Sequence, residues 1–347
     1  MKPSRPTIAD LENYDEIIDV RSPAEFAEDH IPGAISCPVL DDAQRAEVGT
    51  LYKQVSPFEA KKIGAALVAE NIARHLRERF LDRPKTWKPL IYCWRGGDRS
   101  GAMTTIFRAI GWHAGQLDGG YKAWRSHVIA GLEAMPHDFQ FVVISGATGS
   151  AKTRVLQAIG ALGEQILDLE TLACHKGSVL GVLPDQPQPT QKGFETALCQ
   201  QLCAQDRQRP VYVEAESRKI GNLHLPTALI ERIRQGRCVN IEADIDARVE
   251  FLIDDYHYFL NQPELLTQRL ETLGSLHSKE TMLHWKTLIE RQEWPLLVRE
   301  LLELHYDPLY HRSQEHNFSG MAESAKFATK FLSTAGITEL ARAIVAH

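Results

Sequence analysis

No apolar run in this chain of 347 residues approaches the ~18 that a membrane-spanning helix requires. Its opening, MKPSRPTIADLENYDEIIDV, lacks the apolar core of a signal peptide. Cysteine is sparse: 6 in the whole chain make no disulfide framework. Net positive charge is missing too, and a formal charge of −6 gives no general attraction for nucleic-acid phosphates. Cations gather only locally, at 74–88 (RHLRERFLDRPKTWK) and 232–237 (RIRQGR), and each cluster reads first as a solvated helix face. No internal repeat or low-complexity tract is present. What remains is the expectation of a soluble, cytoplasmic globular protein with no membrane partner and a length suited to two domains.

What the chain does have is two glycine-rich loops, each behind a short apolar run and ahead of a helical pattern. CWRGGDRSG (93–101) follows PLIYC, and GATGSAKT (146–153) follows FVVIS. A strand, a tight turn and a helix start aim several backbone N–H groups at one point, which makes each loop an anion seat. Two such seats imply chemistry on two anionic reagents.

Around the first loop, residues 1–128 read as one α/β unit. EIIDVR (16–21) is a buried strand, and SPAEFAEDH opens with a Ser N-cap before a short helix. HIPGAISCP returns as a strand. Apolar residues at helical spacing over 57–81 predict a long amphipathic helix. Residues 129–138 read as a linker, and 139–347 as a second α/β domain. In it, strands at QILDLE (165–170), PVYVEAE (210–216) and CVNIEAD (238–244) alternate with helices, which implies a parallel sheet. From about 246 the pattern is helical, with a helical pair over 278–304 broken near Pro295.

Cys93 sits where a strand ends and a helix begins, with Arg95 and Arg99 beside it; helix dipole and arginines both favour a thiolate. Gly96 and Gly97 let the backbone close around a bound anion. Two chemistries use such a loop. In sulfur or selenium transfer the cysteine carries the chalcogen. In phosphoester hydrolysis the C-x5-R spacing from Cys93 to Arg99 holds a phosphate on the nucleophile. Tyr92 stands where the common phosphatase signature has His. DVRSPAEF (19–26), HIPGAI (30–35) and LDGGYKAW (117–124) resemble the rhodanese family in order and spacing.

The second loop follows the Walker A pattern except at Ala151, where a glycine is expected. Gly146, Gly149, Ser150, Lys152 and Thr153 supply the phosphate seat, with Lys152 as a point charge and Thr153 as a magnesium ligand. At the end of PVYVEAE, Glu214 and Glu216 stand where an Asp would hold magnesium through water. With no adenine-specific feature nearby, a diphosphate other than a nucleotide is a credible ligand.

A rhodanese-like domain with CWRGG-x-RSG fused to a P-loop domain resembles the bacterial tRNA 2-selenouridine synthase family over nearly the whole chain. The stretches VGTLYKQVSPFEAKKIGA, DLETLACHKGSVLG, QPTQKGFE, VEAESRKIG and HYDPLY resemble it too. The resemblance implies an N-terminal rhodanese-like domain, a P-loop NTPase-like parallel-sheet domain and a helical C-terminal extension. It implies a transferase acting on wobble 2-thiouridine of tRNA, with geranyl diphosphate and selenophosphate as co-substrates. An S-geranyl intermediate would lead to 2-selenouridine. It further implies Cys93 as the selenium-handling nucleophile, able to carry a perselenide, in a cradle of Arg95, Gly96, Gly97 and Arg99. Asp168, Glu170, His175, Glu216, Ser217 and Arg218 become candidates for magnesium, geranyl diphosphate or base contacts, each set against a plain structural role. Expected cofactors are none tightly bound, with no tight protein metal site and magnesium only alongside the diphosphate. An enzyme that supplies selenophosphate is a candidate partner.

The alternative is a rhodanese-type sulfurtransferase fused to an ATP-dependent kinase acting on a small acceptor. Cys199 and Cys203 lack a matching metal-ligand pair and read as ordinary thiols. Trp285, Trp294, Tyr306 and Tyr310 read first as core, and second as tRNA stackers or walls of a prenyl pocket.

Overall fold

Two separate parallel sheets organise the computed structural model, which describes residues 5–310, 318, 320, 321 and 323–347. The chain divides between Gly131 and Leu132 into two compact units. In the first, strands β1 (Glu16–Asp19), β2 (Ile35–Ser36), β3 (Pro89–Tyr92) and β4 (Gly115–Gln116) run in the order β2-β1-β3-β4, all parallel. Its helices are α1 (Pro23–Glu28), α2 (Asp42–Gln54), α3 (Pro57–His75), α4 (Asp98–Ile110) and α5 (Gly120–Ala134). β3 is PLIY with all four residues buried, the continuous apolar signature of a strand covered on both faces. Ser22 caps α1 in a capping box with Glu25. The long helix read over 57–81 is α3 with a π-helical turn, Leu76–Phe80, added to its end.

The second unit has a five-stranded parallel sheet built from β5 (Phe141–Gly146), β6 (Gln165–Leu167), β7 (Val211–Glu214), β10 (Arg237–Ala243) and β11 (Ala325–Thr329), in the order β11-β10-β5-β7-β6. A small antiparallel hairpin, β8 (Lys219–Ile220) and β9 (Leu223–His224), stands apart. Helices α6 (Lys152–Ala161), α7 (Leu169–Ala173), α8 (Gln191–Ala204) and α9 (Thr227–Arg234) connect the strands. β5 buries all six residues at the centre of the sheet, so the loop after it leaves from the carboxyl edge, where α/β sheets bind ligands.

One expectation is corrected. The chain is not wholly helical after about 246, because β11 pairs parallel with β10 from Val239↔Ala325 to Ala243↔Thr329. AKFAT is a short edge strand with no fully buried residue, so its apolar signal is weak. The remainder is helical: α10 (Ile245–Asp255), α11 (His257–Asn261), α12 (Pro263–Glu271), α13 (Lys279–Glu290), α14 (Trp294–Leu301) and the final α15 (Thr334–Ala346). Pro295 sits in the first turn of α14, where it needs no N–H partner. Helices α11 to α14 enclose a core of their own around the fully buried Trp285. Among the described residues no helix is long and apolar enough to cross a membrane.

Candidate functional site

The first loop is shaped from outside. The carbonyls of Cys93 and Trp94 accept the amides of Tyr121 and Lys122 at 2.8 and 2.9 Å. Gln116 Nε2 donates to the carbonyls of Gly96 and Gly97 at 2.9 and 3.0 Å, and Arg5 also donates to Gly96 O. A trans peptide points its N–H opposite its C=O. Holding these carbonyls outward therefore turns the N–H groups of Trp94, Arg95, Gly97 and Asp98 inward. Gly97 N–H indeed donates to Cys93 Sγ at 3.3 Å, and Ser100 Oγ lies 3.2 Å from the same sulfur. Cys93 is only 3% exposed, yet its sulfur faces an amide and a hydroxyl at the start of α4.

The arginines take separate positions. Arg95 is exposed. Arg99 grips Glu25 at 2.7 Å, and Arg45 pairs with the same carboxylate at 2.9 Å. Burial would raise Glu25, but the two arginines outweigh it and hold the carboxyl below its ordinary range. Ser100 and Gln116 were not read from the sequence as site residues. Ser100 lies inside the motif, but Gln116 is placed by the pairing of β4 with β3, which no local pattern announces. Tyr92 is structural, its buried hydroxyl accepting the amide of Ile31 at 3.1 Å.

Gly120 starts α5 at φ +58°, and a Cβ there would lie 2.3 Å from Cys93 O and 2.5 Å from Gly96 N. Gly120→Ala should therefore destabilise the first unit by about 2–4 kcal/mol, from left-handed strain and displacement of the loop together. Urea unfolding checks this; an unchanged midpoint contradicts it.

In the second loop Gly146 and Gly149 are pinned by their surroundings: a Cβ on Gly149 (φ +82°) would meet Leu252 Cδ1 at 2.8 Å. Ala151 adopts the left-handed conformation (φ 58°, ψ 30°) that glycine supplies freely. That costs about 1–2 kcal/mol, partly offset by burying its methyl in the core beside Val155. Lys152 Nζ folds back onto the carbonyls of Gly146 and Ala147 at 2.8 and 3.4 Å. Arg248 braces the loop from the other side: Nε donates to Thr148 O at 2.8 Å while the guanidinium pairs with Asp307 at 2.5 Å. Tyr310 reaches Ser145 at 2.9 Å. The stretch HYDPLY thus secures the phosphate loop through Asp307 and Tyr310, a role that sequence reading had not assigned.

A carboxylate cluster stands opposite. Thr153 Oγ1 donates to Glu170 at 2.7 Å, and Glu214 accepts the amide of Glu170 at 2.9 Å. A Cβ on Gly177 would lie 2.7 Å from both Glu170 and Glu216. Glu214 Oε2 and Ser150 Oγ are buried with no hydrogen-bond partner among the described residues, the mark of a polar seat shaped for something else. Burial pushes Glu214 well up, with Asp168 and Glu170 adding repulsion. Burial also raises Glu170 and lowers Lys152. The donors are all hard oxygens, which suit magnesium completed by a ligand's own phosphate oxygens. Among the described residues no three His, Cys, Asp or Glu form a metal site by themselves.

The other candidates separate. Asp168 caps α7 through the amide of Thr171 at 2.8 Å. His175 is buried and its Nδ1 has no partner among the described residues. Ser217 bonds with Lys219 O, and Arg218 with Thr227 at 3.0 Å, both exposed. Cys199 and Cys203 are free thiols.

Burial raises Glu216 to about 8, Glu170 adding repulsion and Lys152 opposing it. A carboxyl that is protonated in the fold but ionised in the unfolded chain adds stability in full below the ordinary carboxyl range. That stability is lost as pH rises towards 8. The ligand-free protein should lose thermal stability from about pH 5 to 8, and Glu216→Gln should flatten that slope. Melting curves across this range test it, and parallel slopes for the two proteins contradict it.

Beside the phosphate loop lies an apolar cleft of about 70 Å³, open at its mouth. Leu252, Phe259, Leu266, Trp294, Leu297 and Leu301 line it, and Thr148 and Ser178 stand on its wall. Of the four aromatics singled out in the sequence, Trp294 and Tyr306 line this chamber, Trp285 is core, and Tyr310 sits on β5.

A family profile described as a rhodanese-like domain matches residues 7–127, and one described as the tRNA 2-selenouridine synthase AAA domain matches 139–292. The chain is similar to a tRNA 2-selenouridine synthase of Nitrosomonas europaea, 34% identical over 75% of this chain and 68% of that protein. It is also similar to those of Bdellovibrio bacteriovorus (30% identical, 86% of this chain and 89% of that one) and Sulfurovum sp. (30%, 88% and 91%).

Proposed function

Since the chain belongs to the tRNA 2-selenouridine synthase family, we propose that it is a transferase converting wobble 2-thiouridine of tRNA to 2-selenouridine through an S-geranyl intermediate. In the first step geranyl diphosphate seats its diphosphate on Gly146, Gly149, Ser150, Lys152 and Thr153. The thiouridine sulfur takes the geranyl group. Magnesium, held by Thr153 with Glu170 and Glu216, would supply charge neutralisation for the diphosphate. In the second step selenophosphate enters the Cys93 loop, its selenium attacks C2 and expels geranylthiolate, and the Cys93 thiolate then takes the phosphoryl group off selenium, from which water releases it as phosphate. Alkylation helps because a geranylthiolate leaves far more readily than sulfide.

The observation that carries this reading is the apolar chamber that shares Thr148 with the phosphate loop. A nucleotide would lay a ribose and a base there, against a wall with few polar partners. A ten-carbon chain gains about 0.8 kcal/mol for each methylene it buries. Calorimetry should show geranyl diphosphate with magnesium binding at least about 100-fold more tightly than ATP, a gap of about 2.7 kcal/mol. Tighter binding of ATP would favour the sulfurtransferase–kinase alternative instead.

A further inference from the structure

Gly177 and Ser178 form a partition between the carboxylate side of the phosphate loop and the apolar chamber. Gly177 abuts Glu170 and Glu216 on the phosphate side. The next residue, Ser178, lines the apolar chamber, as Thr148 does. Tyr256 and Tyr306 line that chamber together with Ser178. With the diphosphate on the loop and the hydrocarbon in the chamber, the carbon that joins them, C1, must lie at this partition.

We propose that Tyr306 is a catalytic residue of geranyl transfer, its ring stabilising the allylic cation that develops at C1. The inference rests on the proposed geranyl diphosphate reading. The C1–O bond breaks and its electron pair leaves on the diphosphate, whose charge the loop amides and Lys152 take up. A sulfur lone pair of thiouridine forms the C1–S bond, and the N3 proton passes to water. An aromatic face attracts a cation, most strongly where water is excluded. Tyr256 is the poorer host, because the Lys176 ammonium, held by Asp255 at 2.6 Å, already lies 4.3 Å from its ring centre.

Single-turnover geranylation and calorimetry on the full chain test this. Tyr306→Phe keeps the ring and should stay within about 3-fold of wild type. Tyr306→Leu should lower the geranylation rate about 10- to 30-fold while geranyl diphosphate binds within about 3-fold of normal. Equal losses in Phe and Leu variants, or a Leu variant changed only in binding, overturn the assignment. Should the Leu variant fail to fold, wild type with 2-fluorogeranyl diphosphate decides. The fluorine withdraws charge from the cation, so the rate should fall by more than about 10-fold, and an equal rate overturns the proposal. If wild type does not bind geranyl diphosphate at all, the parent reading fails and this assignment with it.

Discussion

Cys93→Ala should abolish selenium incorporation, a loss of at least about 1,000-fold, while geranylation continues within about 2-fold of wild type. S-geranyl-2-thiouridine should then accumulate in the tRNA. The expectation rests on how the loop is held. Its carbonyls are held by Gln116, Tyr121 and Lys122, and the Gly97 amide and the Ser100 hydroxyl meet the sulfur. Removing the sulfur leaves an anion seat with no nucleophile. The phosphate loop belongs to the other compact unit. Nucleoside analysis of tRNA after incubation gives the answer, and a variant that still selenates at the wild-type rate removes Cys93 from the chemistry.

Lys152→Ala should do the reverse. Geranylation should fall by about 100- to 1,000-fold, the usual cost of losing one preorganised group that meets developing negative charge. A tRNA supplied already geranylated should be selenated within about 2-fold of normal. In the ligand-free fold the ammonium rests on the carbonyls of Gly146 and Ala147, beside the half-buried carboxyls of Glu170 and Glu216. It is therefore already placed where a departing diphosphate would need it. Loss of both steps in a variant that folds normally would mean that the phosphate loop also serves selenation.

Both loops were legible in the sequence because their geometry is local. Gly96 (φ +64°) and Gly149 (φ +82°) occupy conformations that only glycine takes freely, so the residue type betrays the turn. Central strands such as PLIY and FVVISG were legible because burial on both faces leaves an unbroken apolar run. What stayed hidden is held by distant partners. Gln116 is an unremarkable residue in sequence until β4 pairs with β3 and brings its amide to the carbonyls of Gly96 and Gly97. Arg248 meets Asp307 across 59 positions, so neither could be read as a brace for the phosphate loop. The apolar chamber is the same case. Periodicity says that Leu266, Leu297 and Leu301 turn inward, but cannot say that the space between them is left open beside Thr148. The same holds for Asp168, Ser217 and Arg218. The fold gives them a helix cap, a turn and a hydroxyl partner, contacts that no local pattern announced.

The central claim is that a thiol seat and a diphosphate seat act in succession on one uridine. Its most direct test is mass spectrometry of 2-thiouridine tRNA incubated with the protein and geranyl diphosphate, before and after selenophosphate is added. The account predicts an S-geranyl nucleoside first and its conversion to 2-selenouridine second. Formation of 2-selenouridine at full rate without geranyl diphosphate would contradict it.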